Sequence, residues 1–125
     1  MGQGIRLTEI VEKMDLKTLT PEVEMVEKEV NVPDVNRPAL QLAGFFDHFD
    51  SNRVQIIGNV EYRYVNTLTK ERQEYIYKKL LEHPIPCIVF CRDMEPEEEF
   101  LRLATERGVP VFKTSKQTSD FTAEV

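Results

Sequence analysis

The chain has 125 residues, enough for one domain with one core and too few for two ordinary ones. Hydrophobic residues make up 41% and charged residues 30%, and 16 basic against 22 acidic side chains give a net charge of −6. That balance repels phosphate backbones and anionic lipid, so no nucleic-acid partner and no membrane is expected. No apolar run approaches the ~20 residues that span a bilayer, and the N-terminus lacks the basic-then-apolar form of a signal peptide. Arg6 also stands where a myristoylation signal needs Ser or Thr. The expected compartment is the cytoplasm.

Thr8 is placed to cap a short helix whose Ile10, Val11 and Met14 share one face. Residues 16–20 alternate and predict a strand. Pro21 and the acidic stretch 22–29 predict a solvated connection, with Val23, Met25 and Val26 able to touch the core. Pro38 suits a first helical position and Gly44 the left-handed residue past a helix end, which predicts a short helix over 38–43. Arg37, ahead of a proline, is pushed towards extended backbone. Its planar donor fork has two uses: pairing Asp34 within the fold, or meeting a ligand or partner.

Phe45, Phe46 and Phe49 form an aromatic cluster before the turn residues Asp50, Ser51 and Asn52. Asp47, His48 and Asp50 read as a solvated loop rather than a cation site. Val54–Ile57 predicts a buried strand ending at Gly58, followed by a helix from a cap at Asn59 through Tyr64. A longer helix is predicted over 69–82, with Arg72, Tyr75, Ile76, Lys79 and Leu80 on its stripe. Residues 86–91 form a nearly continuous apolar run, the pattern of a strand buried on both faces of a parallel sheet. Pro96 and Gly108 bracket a helix over 97–107 that turns Phe100, Leu103 and Ala104 inward. Val109–Phe112 is the next strand, so residues 86–112 predict a βαβ unit with a right-handed crossover.

Cys87 and Cys91, on one strand, lie about 13 Å apart at ~3.3 Å rise per residue. A disulfide needs Cα atoms within ~7 Å, so two buried reduced thiols are expected. The five glycines supply no G-x-x-x-x-G-K-[ST] loop and no dinucleotide fingerprint, so the 125 residues hold no phosphate cradle of either kind. His48 and His83 stand apart, no metal-ligand spacing occurs, and no serine sits in a nucleophile elbow. The glutamates at 95 and 97–99 complement a helix dipole rather than suggest acid–base catalysis.

Residues 33–46 (PDVNRPALQLAGFF) resemble the N-terminal domain of the HPr kinase/phosphorylases, which carry an N-R-P-G-L-E-L-x-G-Y-F-like segment. The similarity continues through residues 53–58, 86–90, 95–98 and 107–112, with Ala39 in place of the family's usual glycine. The resemblance implies a single compact α/β domain with a mixed, largely parallel sheet flanked by helices, similar to the first domain of the Mur ligases. It implies a domain over 1–117, and over 118–125 the start of a linker towards a C-terminal kinase domain. It also implies a non-catalytic regulatory or architectural part in a bifunctional serine kinase/phosphorylase. That enzyme acts on the phosphocarrier HPr in carbon catabolite control and the regulation of the phosphotransferase system.

On this reading no cofactor is held here, ATP and magnesium belonging to the kinase domain. The expected partners are that domain or neighbouring subunits of an oligomer, with HPr met through the parent enzyme. The candidate interaction surface is Asn36, Arg37, Phe45 and Phe46. Two adjacent phenylalanines on extended backbone point oppositely, so the second ring is either left exposed as an interface anchor or covered by the domain's own N-terminal helix. Two rivals remain: a module sensing a nucleotide or sugar phosphate, by analogy with the Mur domain, and a free-standing partner-binding protein.

Overall fold

The computed structural model describes residues 5–13, 15–21, 23, 29–30, 35–36, 38, 42, 53–83 and 85–115. Its centre is made by the two apolar runs. Val54–Ile57 (β5) and Ile88–Phe90 (β6) are buried along their whole length. They pair in parallel, with Gln55 opposite Ile88 and Ile57 opposite Phe90. Val111–Lys113 (β7) adds in parallel to β6, and Val35–Asn36 (β4) adds in parallel to the other side of β5. Lys17–Thr18 (β2) closes the far edge antiparallel to β7, giving the order β2-β7-β6-β5-β4. The sheet is therefore mixed and largely parallel, and the strands at 54–57, 88–90 and 111–113 share it as the apolar runs predict.

Strands β4 to β7 stand side by side in chain order. When every crossover advances in one direction with one hand, the connecting helices fall on one face. Asn59–Asn66 (α2), Lys70–Leu81 (α3) and Glu98–Arg107 (α4) do so: Val65, Ile76, Leu80, Phe100 and Leu103 pack with Ile57, Ile88, Phe90 and Val111 in one cluster. The other face meets Leu7–Lys13 (α1), where Leu7 and Leu16 cover Val54, Ile56, Val89 and Phe112. Cys87 and Cys91 belong to this second cluster, buried and unbridged. Both faces of β6 are thus dry, which is why its sequence does not alternate.

The helix ends show where local chemistry departs from the sequence pattern. Helix α1 begins at Leu7, directly after Ile5–Arg6 (β1), so Thr8 lies inside the helix and not at its cap. Met14 lies outside the described residues. Asp15 follows in the left-handed region at φ 52, with Leu16 N–H on Val11 O at 3.0 Å closing the helix end. Glu29–Val30 (β3), inside the stretch read as a solvated connection, pairs antiparallel with β1 in a separate two-stranded sheet. Of the apolar residues in that stretch, Val23 is buried, and Met25 and Val26 fall outside the described residues.

Leu42 is helical, and its N–H donates to Pro38 O at 2.9 Å, in keeping with the short helix over 38–43. On α3 the buried stripe is Gln73, Ile76, Tyr77, Leu80 and Leu81, one position off the expected set. Arg72 and Tyr75 face solvent as a pair, the guanidinium 5.1 Å from the ring centre. Gln73 turns inward because its amide donates to Val65 O at 2.8 Å, satisfying a carbonyl where α2 ends.

Candidate functional site: the carboxyl edge of the sheet

Open α/β sheets bind ligands beyond the carboxyl ends of their strands, at the point where strand order reverses. Strands β4 to β7 never reverse, so among the described residues no switch-point crevice opens. The carboxyl edge is closed instead by three local devices.

At the end of β5, Gly58 is the residue before α2, so Asn59 is the first helical residue and not its cap. Gly58 N–H donates to Glu61 Oε1 at 2.7 Å, which holds a carboxylate only 3% exposed against the positive end of the helix. At the end of β6 the chain reverses through residues 91–94. Met94 N–H donates to Cys91 O at 3.1 Å, and Arg92 and Asp93 between them take φ 58 and 54. Two consecutive positive φ values mark a mirror-image turn of the type that usually holds Asn-Gly. At the end of β7, Lys113 Nζ meets Glu95 Oε2 at 2.6 Å, a contact that holds the lysine pKa above its usual value. Glu95 O in turn accepts from Tyr62 Oη at 2.8 Å.

Beneath this edge lies a cavity of about 40 Å3, walled by Leu42, Ile57, Val65 and Leu80 and by four aromatic rings. The rings run in sequence: Tyr62 lies 6.3 Å from Phe90, Phe90 lies 5.8 Å from Phe100, and Phe100 lies 4.8 Å from Tyr77, all edge to face. Burial, aided by Glu97, pushes the Tyr77 hydroxyl up to about 12. Asn66 and Glu97 are the polar residues at the wall apart from the tyrosines. A drug-sized ligand needs roughly 300–1,000 Å3, so a nucleotide does not fit this cavity. No group of three metal-ligating side chains is gathered among the described residues.

Asn36 is the last residue of β4, with its Cα opposite Gln55. Arg37, Phe45 and Phe46 lie outside the described residues, as does the stretch 118–125. The turn at Arg92–Asp93 was not singled out from the sequence, because Arg-Asp carries no turn signature there. The aromatic wall was missed for another reason: its four rings come from two helices, a strand and a third helix far apart in the chain.

The sequence model of the family described as HPr Serine kinase N terminus matches residues 5–125. The chain belongs to this family. It is 54% identical over 121 residues to the HPr kinase/phosphorylase of Lachnoclostridium phytofermentans, a match that covers 97% of this chain and 39% of that protein. The Caldicellulosiruptor bescii HPr kinase/phosphorylase is 38% identical over 112 residues, covering 90% and 36%. The chain thus spans about two fifths of the length of the curated relatives it matches.

Among solved structures it is similar to the CBS and DRTGG domains of the regulatory region of a Clostridium perfringens pyrophosphatase, complexed with its activator diadenosine tetraphosphate. The TM-score is 0.64 and the identity 15%, over 94% of this chain and 44% of the other. At that identity the likeness is one of fold. The likeness to the Mur ligases rests on the resemblance alone. Among the described residues no helix is long and apolar enough to cross a membrane.

Proposed function

We propose that this HPr serine kinase N-terminal domain is a non-catalytic regulatory and architectural part of an HPr kinase/phosphorylase. In that enzyme it would act in the cytoplasm, on the balance between phosphorylating and dephosphorylating HPr in carbon catabolite control. The observation that carries the reading is the pairing of a family match over residues 5–125 with a sequence that has no phosphate-binding loop. A domain of this family without a nucleotide cradle acts on the kinase domain or on neighbouring subunits. ATP and magnesium belong to the remainder of the enzyme. The interaction surface is proposed at Asn36, Arg37, Phe45 and Phe46, where a proline-stiffened guanidinium precedes two aromatic anchors.

Two measurements test the reading. Equilibrium dialysis of the chain against Mg-ATP is expected to show no binding below millimolar concentrations; sub-millimolar affinity would overturn the non-catalytic assignment. In the longer enzyme, Arg37→Ala and a Phe→Ser change at the exposed one of Phe45 and Phe46 are expected to change oligomer size or the kinase–phosphorylase balance while the domain stays folded. Unchanged values in both variants would end the proposed surface.

A further inference from the structure

The aromatic cavity beneath the carboxyl edge has a dry end and a charged end. Leu42, Ile57, Leu80, Phe90 and Phe100 are buried and form its floor. Asn66 and Glu97 also line it, and both are exposed, so they stand at its mouth. Tyr77 joins floor to mouth. It is 7% exposed, yet its hydroxyl makes no hydrogen bond among the described residues. Nearly all buried polar groups have a partner, so this one is a vacancy in the fold's accounting. The Tyr62 hydroxyl on the same wall is already taken, by Glu95 O. After burial, the Glu97 carboxylate does most to hold the proton on Tyr77, which places the two groups within electrostatic reach. Glu95 is paired with Lys113 and Glu99 with Arg102, whereas Glu97 carries no ion pair among the described residues. Its side chain makes no capping bond to α4 either.

We propose that this cavity is a binding site for a small primary alkylammonium ion. The alkyl group lies on the aromatic floor, and the three N–H donors meet Glu97, Tyr77 and Asn66 at the mouth. Size sets the alkyl group: about 40 Å3, at roughly 10–15 Å3 for each water-sized group, takes three or four carbons. The order of polarity sets the direction. A lysine side chain entering from outside would carry its ammonium to the dry floor, where nothing offsets its desolvation. A carboxylate or phosphate would meet Glu97 as a like charge. An ammonium at the mouth keeps part of its water, faces an unpaired carboxylate and gives the Tyr77 hydroxyl the partner it lacks. Such a ligand would tie together the end of α2, the middle of α3 and the start of α4, where Asn66, Tyr77 and Glu97 stand.

The test titrates the chain with isobutylammonium, and with isobutanol and isovalerate, which carry the same isobutyl group on a neutral and a negative head. Aromatic proton resonances of Tyr77 and Phe100 report occupation. With only five non-hydrogen atoms to bind, isobutylammonium is expected to saturate with a Kd of about 0.1–1 mM. Isobutanol should bind about fivefold more weakly, and isovalerate more weakly still. Glu97→Gln keeps the shape and removes the charge. It is expected to weaken isobutylammonium about fivefold and leave isobutanol unchanged. Tyr77→Phe keeps the ring and removes the hydroxyl, so isobutylammonium should bind more weakly while the melting temperature does not fall. Four results would each overturn the site: no saturation by isobutylammonium, equal affinity for isobutanol, full affinity in either variant, or shifts that spare Tyr77 and Phe100.

Discussion

Thr20 offers a direct measure of what holds the antiparallel edge of the sheet. Its side chain is 2% exposed, and its Oγ1 accepts from Val111 N–H at 3.0 Å, while Leu19 N–H donates to Val111 O at 2.8 Å. The regular β2 ladder has ended at Thr18, so the hydroxyl stands where a backbone carbonyl would have continued it. Thr20→Val keeps the branched shape and replaces only the acceptor, leaving the fully buried Val111 amide without a partner. An orphaned buried donor costs about 1–3 kcal/mol. With an unfolding entropy near 2.1 cal/mol/K per residue, that corresponds to a fall in Tm of roughly 4–12 °C. Thr20→Ser keeps the acceptor and loses one methyl, so it should cost about 0.8 kcal/mol. Urea unfolding of the three proteins, followed by circular dichroism, gives the differences. A Thr20→Val protein as stable as the parent would refute the argument, and so would Thr20→Ser falling below Thr20→Val.

Gly108 ends α4 at φ 70, and a Cβ there would meet nothing within 4 Å. Gly108→Ala should therefore cost only the backbone term, about 1 kcal/mol in urea unfolding; a loss above about 3 kcal/mol would reveal a clash that the geometry excludes. Burial pushes the Cys87 thiol from 9.0 up to about 12, and burial followed by Glu97 raises Tyr77 from 10.0 to about 12. The unfolded chain therefore sheds these protons first. Stability should fall as pH rises from about 9 and keep falling to about 12, and Cys87→Ala should flatten the lower part of that slope. A stability curve that is level or rising across this range would contradict the assignment.

The parts of the fold legible in the sequence are those where burial alone dictates the pattern. Strand β6 is apolar without alternation because α4 and its neighbours cover one face and α1 the other, and an apolar run is all that such a site requires. Helix α4 is bracketed by Pro96 and Gly108, and glycine is the residue best able to take the left-handed geometry observed at its end. Where a polar group answers a particular carbonyl or amide, the pattern misleads. Gln73 looks like a surface residue by hydropathy and is 6% exposed, because Val65 O lies within its reach. Glu61 reads as a first-turn solvent carboxylate and is buried on Gly58 N–H. Strand β3 is invisible among glutamates because two residues of backbone pairing ask nothing of hydropathy.

The same distinction separates the segment around residues 36–46 from the carboxyl edge of the sheet. Asn36, Arg37, Phe45 and Phe46 stand out in the sequence because each residue type carries a recognisable capacity: a stiffened donor fork and large apolar rings. The carboxyl edge carries no such mark. Its features are relations: Asp93 with Thr114, Lys113 with Glu95, Tyr62 with Glu95 across 33 residues of chain. Arg-Asp at a mirror-image turn runs against local propensity, and the sequence marks no turn there because Thr114, which accepts from the Asp93 amide, is 21 positions away. A local rule is broken there by a contact that only the folded chain makes. Glycine at position 92 would satisfy the rule and ease the strain, and for that reason Arg92→Gly is the substitution that best separates a held turn from a merely tolerated one. If the turn were tolerated without being held, easing it would leave the protection of the Asp93 amide where it was.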